Sequence, residues 1–573
     1  MINEKFYLGI SLGFNSSACV YSNVRGLLSA ISEERLNGEK NTKQLPFNAI
    51  RECLSIAGVD VIEQIAVSHY EEIRTEYFDR YGKNFDLIGS SWEEYILNYV
   101  ANECSCDVMN KEILIPHHHV AHALSTFGFY GIPANKHYYT ITSDGFGDGT
   151  SATICDGMGT TISRVKLENS IALVYQFVTG ALGFKEHQHE GKITGLAAFG
   201  RPKYLDDFND LFQRCGYGNF IQFKHWNYDL TEDEEKQVES SAIIDFDKFL
   251  MLKKAVYGLV KKLMCNGANR EDIAATVQEF AEVHTIEWIT RSITIKGRAF
   301  DAYLAGGLFA NVKINQRIKD TCLFGNVYVC PAMGDEGTAV GAAICMAAKE
   351  PIDEIGTMSE KVISGTFTTD RNVNHLFDVL CLNKMAYRIF KCDDIIDYIS
   401  HRLADNKIVC LKRGRMEFGP RALCHTSILY NCDTKETNDW LNKKLSRTEF
   451  MPFAPVCREE VADDLFKNLD GGRDSARFMT MTFDCTDEFA KDYPAACHID
   501  NTARPQIVHY EDDSFMWNVL FEYEKLTGKK ALINTSFNLH NNPIIESEKV
   551  AIESWLKSDT DSLVIGNMVI EKI

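Results

Sequence analysis

"FYLGISLGFNSSACVYSN" (residues 6–23) and "YYTITSDGFGDGTSATIC" (138–155) carry one pattern twice. Each is an apolar strand, a glycine turn and a second strand. Leu12-Gly13-Phe14 aligns with Asp144-Gly145-Phe146, and Ser17-Ala18 with Ser151-Ala152. One such unit reads as an ordinary hairpin. Two matching units, one in each half of a region, predict a duplicated nucleotide-binding fold, because glycine turns let backbone N–H groups approach a phosphate closely. Gly13, Gly145 and Gly147 are the candidate phosphate-turn glycines.

Downstream, "AYLAGGLFANVKINQRI" (302–318) reads as strand, Gly306-Gly307 and helix, a junction suited to a nucleoside packed on the turn. "VYVCPAMGDEGTAVGAAICMAA" (327–348) repeats strand, glycine loop and small-residue helix. Residues 351–375 read as a linker. A second α/β pattern then begins, with a helix at 393–405, a strand at 407–414 and the loop "RMEFGPRAL" (415–423). The expected organisation is a domain over 1–350 and another over 376–573.

Composition narrows the function. The chain has 573 residues and a formal net charge of −20, which disfavours a nucleic-acid partner. Eighteen cysteines without a CxxC pair suggest a reducing cytoplasm. The N-terminus lacks a basic, apolar leader, and no long apolar run predicts a membrane span.

Two constellations carry chemistry. "PHHHVAHALSTFGF" (116–129) places His118 and His122 four apart on a predicted helix, hence on one face and able to share a metal. Asp144 and Asp335 each end a strand at a glycine turn, where carboxylates project into the ligand crevice of α/β folds. Two His and two Asp suit Fe²⁺, Mn²⁺ or Zn²⁺. His117 and His119 read as bystanders. The second constellation, residues 411–458, holds nine Lys/Arg against five Asp/Glu in an acidic chain, interleaved with glycine as in "KRGRMEFGPRAL". Arginine forks in a glycine-shaped pocket fit small phosphates. Arg504 in "NTARPQIV" and the polar turn after "ALINTSFN", with Asn534 and Ser536, extend it.

Taken together, "HHVAHALSTF" (118–127), "SDGFGDG" (143–149), "EGKITGLAAFG" (190–200), "AGGLFANVKIN" (305–315), "PAMGDEGTAVGAA" (331–343), "GRMEFGPRAL" (414–423), "MPFAPV" (451–456), "TARPQIV" (502–508) and "NTSFN" (534–538) resemble the NodU/CmcH family of O-carbamoyltransferases over nearly the whole chain. The resemblance implies an ASKHA-type duplicated N-terminal domain and a YrdC-like α/β C-terminal domain. It implies carbamoyl-adenylate formation from carbamoyl phosphate and ATP with Mg²⁺, then transfer to a hydroxyl of a small acceptor. Under it His118, His122, Asp144 and Asp335 match metal positions, usually iron. Gly306, Gly307 and Asn311 match the adenosine motif. Arg415, Arg421, Arg447, Arg504, Asn534 and Ser536 match the C-terminal site, and Lys192 in "EGK" matches a phosphate contact. A homodimer is left open.

The chain departs from the family pattern in three places. Asn15 stands where a histidine is usual, so a base for the acceptor hydroxyl needs another source, with His117 and His119 nearest in sequence. Met451 replaces a common Arg, and Gly38 a common basic residue. The competing readings are an ASKHA-type sugar kinase or ATPase, a tRNA threonylcarbamoyl-type modification enzyme, and a catalytically quiet binding module. The kinase reading leaves the two His and two Asp unexplained.

Overall fold

The structure is a computed structural model. It describes residues 3–69, 91–214, 221–223, 230–240, 247–293, 300–348, 387–437, 440–441, 453–539 and 542–572. The expected linker at 351–375, Arg447 and Met451 lie outside the described residues.

The two hairpins seed two sheets of the same topology. In the first, β1 (Phe6–Ser11) pairs antiparallel with β2 (Ser17–Ser22), which pairs with β3 (Gly26–Ser32); on its other side β1 runs parallel to β4 (Gln64–Ser68). Ala66 of β4 bridges in parallel to Leu114, the place of a fifth strand. In the second, β5 (Tyr138–Gly147), β6 (Thr150–Asp156) and β7 (Thr161–Lys166) form the antiparallel meander. Then β8 (Asp301–Ala305) and β9 (Val327–Val329) add in parallel on the far side of β5. The order is 3-2-1-4-5 in the second half and 3-2-1-4 in the first, where the Leu114 bridge takes the fifth place. Buried, nearly continuous apolar runs such as β1 and β8 are what strands covered on both faces require.

Each half ends in a helix that crosses to the other. Helix α1 (His118–Ser125) closes the first half and packs on β5 and β8 of the second. Helix α2 (Thr338–Ala347) closes the second half and packs on β1, β2 and β4 of the first. The two helices also pack on each other at backbone distance: a Cβ on Gly341 would lie 1.7 Å from the carbonyl oxygen of Ala121. The small-residue run of α2 permits this approach.

The C-terminal region is an eight-stranded mixed sheet. In chain order its strands are β10 (Tyr387–Lys391), β11 (Val409–Lys412), β12 (Thr426–Tyr430), β13 (Ala454–Arg458), β14 (Gln506–Val508), β15 (Ala531–Ser536), β16 (Ser562–Ile565) and β17 (Met568–Lys572). In space they run β10-β17-β16-β11-β12-β15-β13-β14. Helices Ile395–Ala404 and Ser514–Thr527 pack together, sharing a core with Val409, Leu411 and Val564. The helix expected at 393–405 is thus present, and the strand expected at 407–414 shrinks to Val409–Lys412, because the chain turns at Gly414 (φ +53°).

The loop 414–423 lies against the N-terminal region. Arg35 donates to the carbonyl oxygen of Gly419 (2.8 Å), Arg415 to that of Leu28 (3.0 Å) and Arg421 to that of Ala310 (3.3 Å). Gly419, at φ +106°, brings its Cα so near Pro331 that a Cβ would sit 2.7 Å from that carbonyl oxygen.

The approach of α1 to α2 yields a prediction. Gly341→Ala inserts a methyl where no space exists, so stability should fall by about 1–3 kcal/mol, the usual overpacking cost. Metal uptake should fall with it, because α1 carries His118 and His122. Thermal melting and metal analysis of the purified variant measure both; an unchanged melting point overturns the packing argument.

Candidate functional site

Helix α1 presents His118 and His122 from successive turns, both buried. Asp144 reaches the same point from β5 and Asp335 from the turn before α2. The two imidazole Nε2 atoms are 3.0 Å apart. Asp144 Oδ2 is 3.4 Å from His118 Nε2, and Asp335 Oδ1 is 3.4 Å from His122 Nε2. One donor atom from each of the four residues lies within 4.8 Å of all the others. Two imidazole nitrogens and two carboxylates aimed at one point form a donor set for a divalent ion.

The surroundings fix these four side chains. Asp148 accepts from the His118 backbone N–H (2.7 Å) and so caps α1. A Cβ on Gly147 would lie 2.2 Å from His118 Cδ2, so the absent side chain is what seats that ring. Gly307 N–H donates to Asp144 Oδ1 (3.0 Å), and its own Cβ would lie 2.7 Å from that oxygen. Gly306, at φ +105°, passes over the Ser143 carbonyl. Asn311 caps helix Val312–Asp320 through Lys313 and Ile314 N–H and exchanges two hydrogen bonds with Gln278. Gly13, at φ +108°, forms the first turn, and Gly145 follows Asp144 in the second. Lys192 is half-buried in the first turn of helix Glu190–Ala197.

Electrostatics follow from burial. Burial lowers the pKa of His122, but Asp144 and Asp335 outweigh it and raise the group to about 9. Burial raises Asp144, and His118 and His122 more than reverse this, holding it well below the ordinary range. His119 is pushed far down by burial and by the two neighbouring imidazoles. Its nitrogens are taken by Thr142 Oγ1 (2.8 Å) and the Thr150 carbonyl (3.1 Å), which leaves it no free lone pair to accept an acceptor's proton. His117 caps the helix through His119 N–H.

Asn15, at φ +53°, donates to Glu336 Oε2 (3.3 Å). Glu336 is buried, and burial with Asp335 and Glu34 nearby pushes its carboxyl up to about 7. Sequence reasoning stopped one residue short of it, at Asp335 in "MGDEG".

In the C-terminal region Arg421 and Arg504 are neighbours with no carboxylate partner among the described residues. Burial pulls Arg421 down to about 10; burial and then Arg421 itself pull Arg504 well down. Asn534 donates to the Ala422 carbonyl (3.0 Å) and Gln506 Oε1 (2.6 Å), tying the Arg421 loop to the sheet. Ser536 bonds Asn538 (2.6 Å). The loop's main organiser is Glu417, which the sequence reading passed over: its buried Oε1 accepts from the N–H groups of Leu423, His425 and Thr426 at 2.8–3.1 Å.

Two family profiles fit this layout. The carbamoyltransferase N-terminus profile matches residues 7–344, and the carbamoyltransferase C-terminus profile matches 400–572. The chain belongs to the carbamoyltransferase family. It is 29% identical to an uncharacterised protein of Methanocaldococcus jannaschii over 99% of both chains. It is 28% identical to the nodulation protein NolNO of Sinorhizobium fredii over 95% of this chain and 77% of that one. Among solved structures, component A of the (R)-2-hydroxyglutaryl-CoA dehydratase of Acidaminococcus fermentans aligns with 60% of this chain and 98% of its own at 14% identity; its TM-score of 0.32 is too low to bear on the fold.

In this carbamoyltransferase the N-terminal profile spans all four donors, and the C-terminal profile spans the Arg421–Arg504 pair. No helix among the described residues is long and apolar enough to cross a membrane.

The raised His122 pKa makes metal uptake pH-dependent. A bound ion needs the neutral imidazole, so below about 9 each binding event should release a proton. Affinity for Zn²⁺ or Mn²⁺ should weaken about tenfold per pH unit lost below that value. In the metal-free protein the sign is opposite: the His122 charge stabilises the fold fully below its ordinary 6.5, and this contribution disappears as pH rises through about 9. Calorimetry in buffers of different ionisation enthalpy counts the protons; release of none at pH 7.5 overturns the assignment.

Proposed function

We propose that the chain is an O-carbamoyltransferase acting in two steps at two sites. A YrdC-like C-terminal domain hydrolyses carbamoyl phosphate with water to carbamate and phosphate; with Mg²⁺ the carbamate oxygen then bonds to the α-phosphorus of ATP, the bond to the β-phosphate oxygen breaks, and pyrophosphate leaves carbamoyl-adenylate behind. An ASKHA-type N-terminal domain then transfers the carbamoyl group to a hydroxyl of a small molecule. The acceptor O–H oxygen bonds to the carbamoyl carbon, its proton leaves, and the bond from that carbon to the AMP oxygen breaks. Adenylation is the physical reason for two steps, since carbamate itself is a poor acyl donor and AMP is a good leaving group.

The observation that carries the reading is the Arg421–Arg504 pair beside the N-terminal site. Two half-buried guanidiniums without a carboxylate among the described residues repel each other and favour an anion between them. Arg421 also reaches the Ala310 carbonyl, one residue before Asn311 of the adenosine motif. Phosphate-binding arginines and the nucleoside turn thus meet at one junction, which supports handing an adenylate from one site to the other. His118, His122, Asp144 and Asp335 would hold a divalent ion, with Fe²⁺ favoured by the resemblance; when bound it supplies positive charge against a nucleotide phosphate. The surplus of negative charge over the chain supports a small acceptor over RNA.

The test needs no knowledge of the acceptor. Protein incubated with carbamoyl phosphate and ATP should form carbamoyl-AMP, detected by mass spectrometry. Arg421→Ala should abolish that synthesis, and breakdown of supplied carbamoyl-AMP should continue near the unsubstituted rate. Loss of both activities in a folded variant counts against separate sites.

A further inference from the structure

The turn at Asn15 lacks the imidazole usual there, yet an imidazole stands against it from elsewhere in the chain. The ring of His187 stacks on Phe14, with centroids 4.3 Å apart and 13° between planes. Lys43 Nζ sits 3.7 Å from the centroid of the Phe14 ring. His187 adopts φ +62°, a costly conformation for a non-glycine residue and one that concentrates at functional sites. It is held there from both sides: its N–H donates to Glu190 Oε1 (2.6 Å), and Asn41 donates to its carbonyl oxygen (3.0 Å).

The tautomer of this ring is fixed by a chain of partners. Lys253, fully buried, pairs with Glu186 at 3.1 Å, and Tyr257 donates to Glu186 Oε1 at 2.6 Å. Gly180 leaves the space they occupy, since its Cβ would lie 2.1 Å from the Tyr257 oxygen and 2.4 Å from Glu186 Oε1. The Glu186 carboxylate accepts from Gln176 Nε2 (3.2 Å), which orients that amide. Gln176 Nε2 is also 3.0 Å from His187 Nε2, so the ring must accept there. A neutral imidazole that accepts at Nε2 carries its proton on Nδ1. Burial and Lys43 keep the ring neutral, with a pKa of about 3. The Nδ1–H has no acceptor among the described residues, so it is a donor awaiting an oxygen.

The ring stands between the two glycine turns. Phe14 precedes Asn15, whose partner Glu336 adjoins Asp335. Gln176 Oε1 lies 3.9 Å from where a Cβ on Gly145 would be, next to Asp144. Resting on the carbamoyl-transfer reading, we propose that His187 donates its Nδ1–H to the carbonyl oxygen of the carbamoyl group, where negative charge develops as the acceptor oxygen adds. It acts as a hydrogen-bond donor and not as a base.

Water serves as the acceptor in the test. His187→Ala should slow hydrolysis of supplied carbamoyl-AMP by about 10²–10³-fold, the usual loss for one such donor. Its synthesis of carbamoyl-AMP should be unchanged. His187→Asn, which keeps an N–H donor, should recover about tenfold. Two-dimensional ¹⁵N–¹H spectra of the unsubstituted protein should show His187 as the Nδ1–H tautomer, and Gln176→Glu should convert it to Nε2–H with loss of hydrolysis. An Nε2–H tautomer in the unsubstituted protein, or a folded His187→Ala variant with an undiminished rate, overturns the proposal. A protein that neither makes nor hydrolyses carbamoyl-AMP overturns the transfer reading, and this role with it.

Discussion

Helices α1 and α2 meet with no side chain between the Ala121 carbonyl and the Gly341 backbone, and the site depends on that contact. α1 brings two imidazoles from the first half, and the turn entering α2 brings a carboxylate from the second. Burying two carboxylates and two imidazoles together costs free energy unless each finds an opposite charge or an ion. Here each carboxylate faces both histidines, so no member is buried alone. The glycines that were candidates for ligand contact also serve this arrangement. Gly147 admits the His118 ring, and Gly307 both admits Asp144 and donates to it.

How much of this was legible in the sequence depends on the range of the signal. The duplication was, because a strand–turn–strand unit is local and Asp144-Gly145-Phe146 repeats Leu12-Gly13-Phe14 within it. The pairing of His118 with His122 was, because a four-residue spacing on a helix sets one face. Glu417 was not, since nothing local distinguishes a carboxylate that will collect three N–H groups from one on a surface. His187 was equally hidden: its neighbours Phe14, Asn41 and Gln176 come from distant parts of the chain. The helix cap and the Gln278 bond of Asn311 were likewise not legible, since Gln278 comes from a distant part of the chain.

The junction between the N- and C-terminal regions is both apolar and polar: Phe418 and Phe478 pack against Phe129 and Tyr130 in one buried cluster. Besides the loop 414–423, helix Val312–Asp320 sends Lys313 to Asp500 (2.6 Å), Asn315 to the Thr480 carbonyl (2.7 Å) and Gln316 to Asp484 (3.0 Å). Asn311 starts this helix and Asp500 lies four residues before Arg504, so the same few contacts set the position of Asn311 relative to Arg504. These polar contacts set the orientation across a junction whose apolar core is continuous from one region to the other.

The exchange of closing helices has a consequence for synthesis on the ribosome. The face of the first sheet bearing Tyr7, Cys19, Tyr21 and Ala66 is covered by Ala339, Val340 and Ala343 of α2, more than 270 residues later in the chain. At roughly 5–20 residues per second, that face waits about 15–60 s for its cover. During that interval the nascent first half is a finished sheet with an open apolar side, the state that binds chaperones or other nascent chains. The topology that joins the two halves into one site therefore also makes the protein dependent on what protects it before residue 347 emerges.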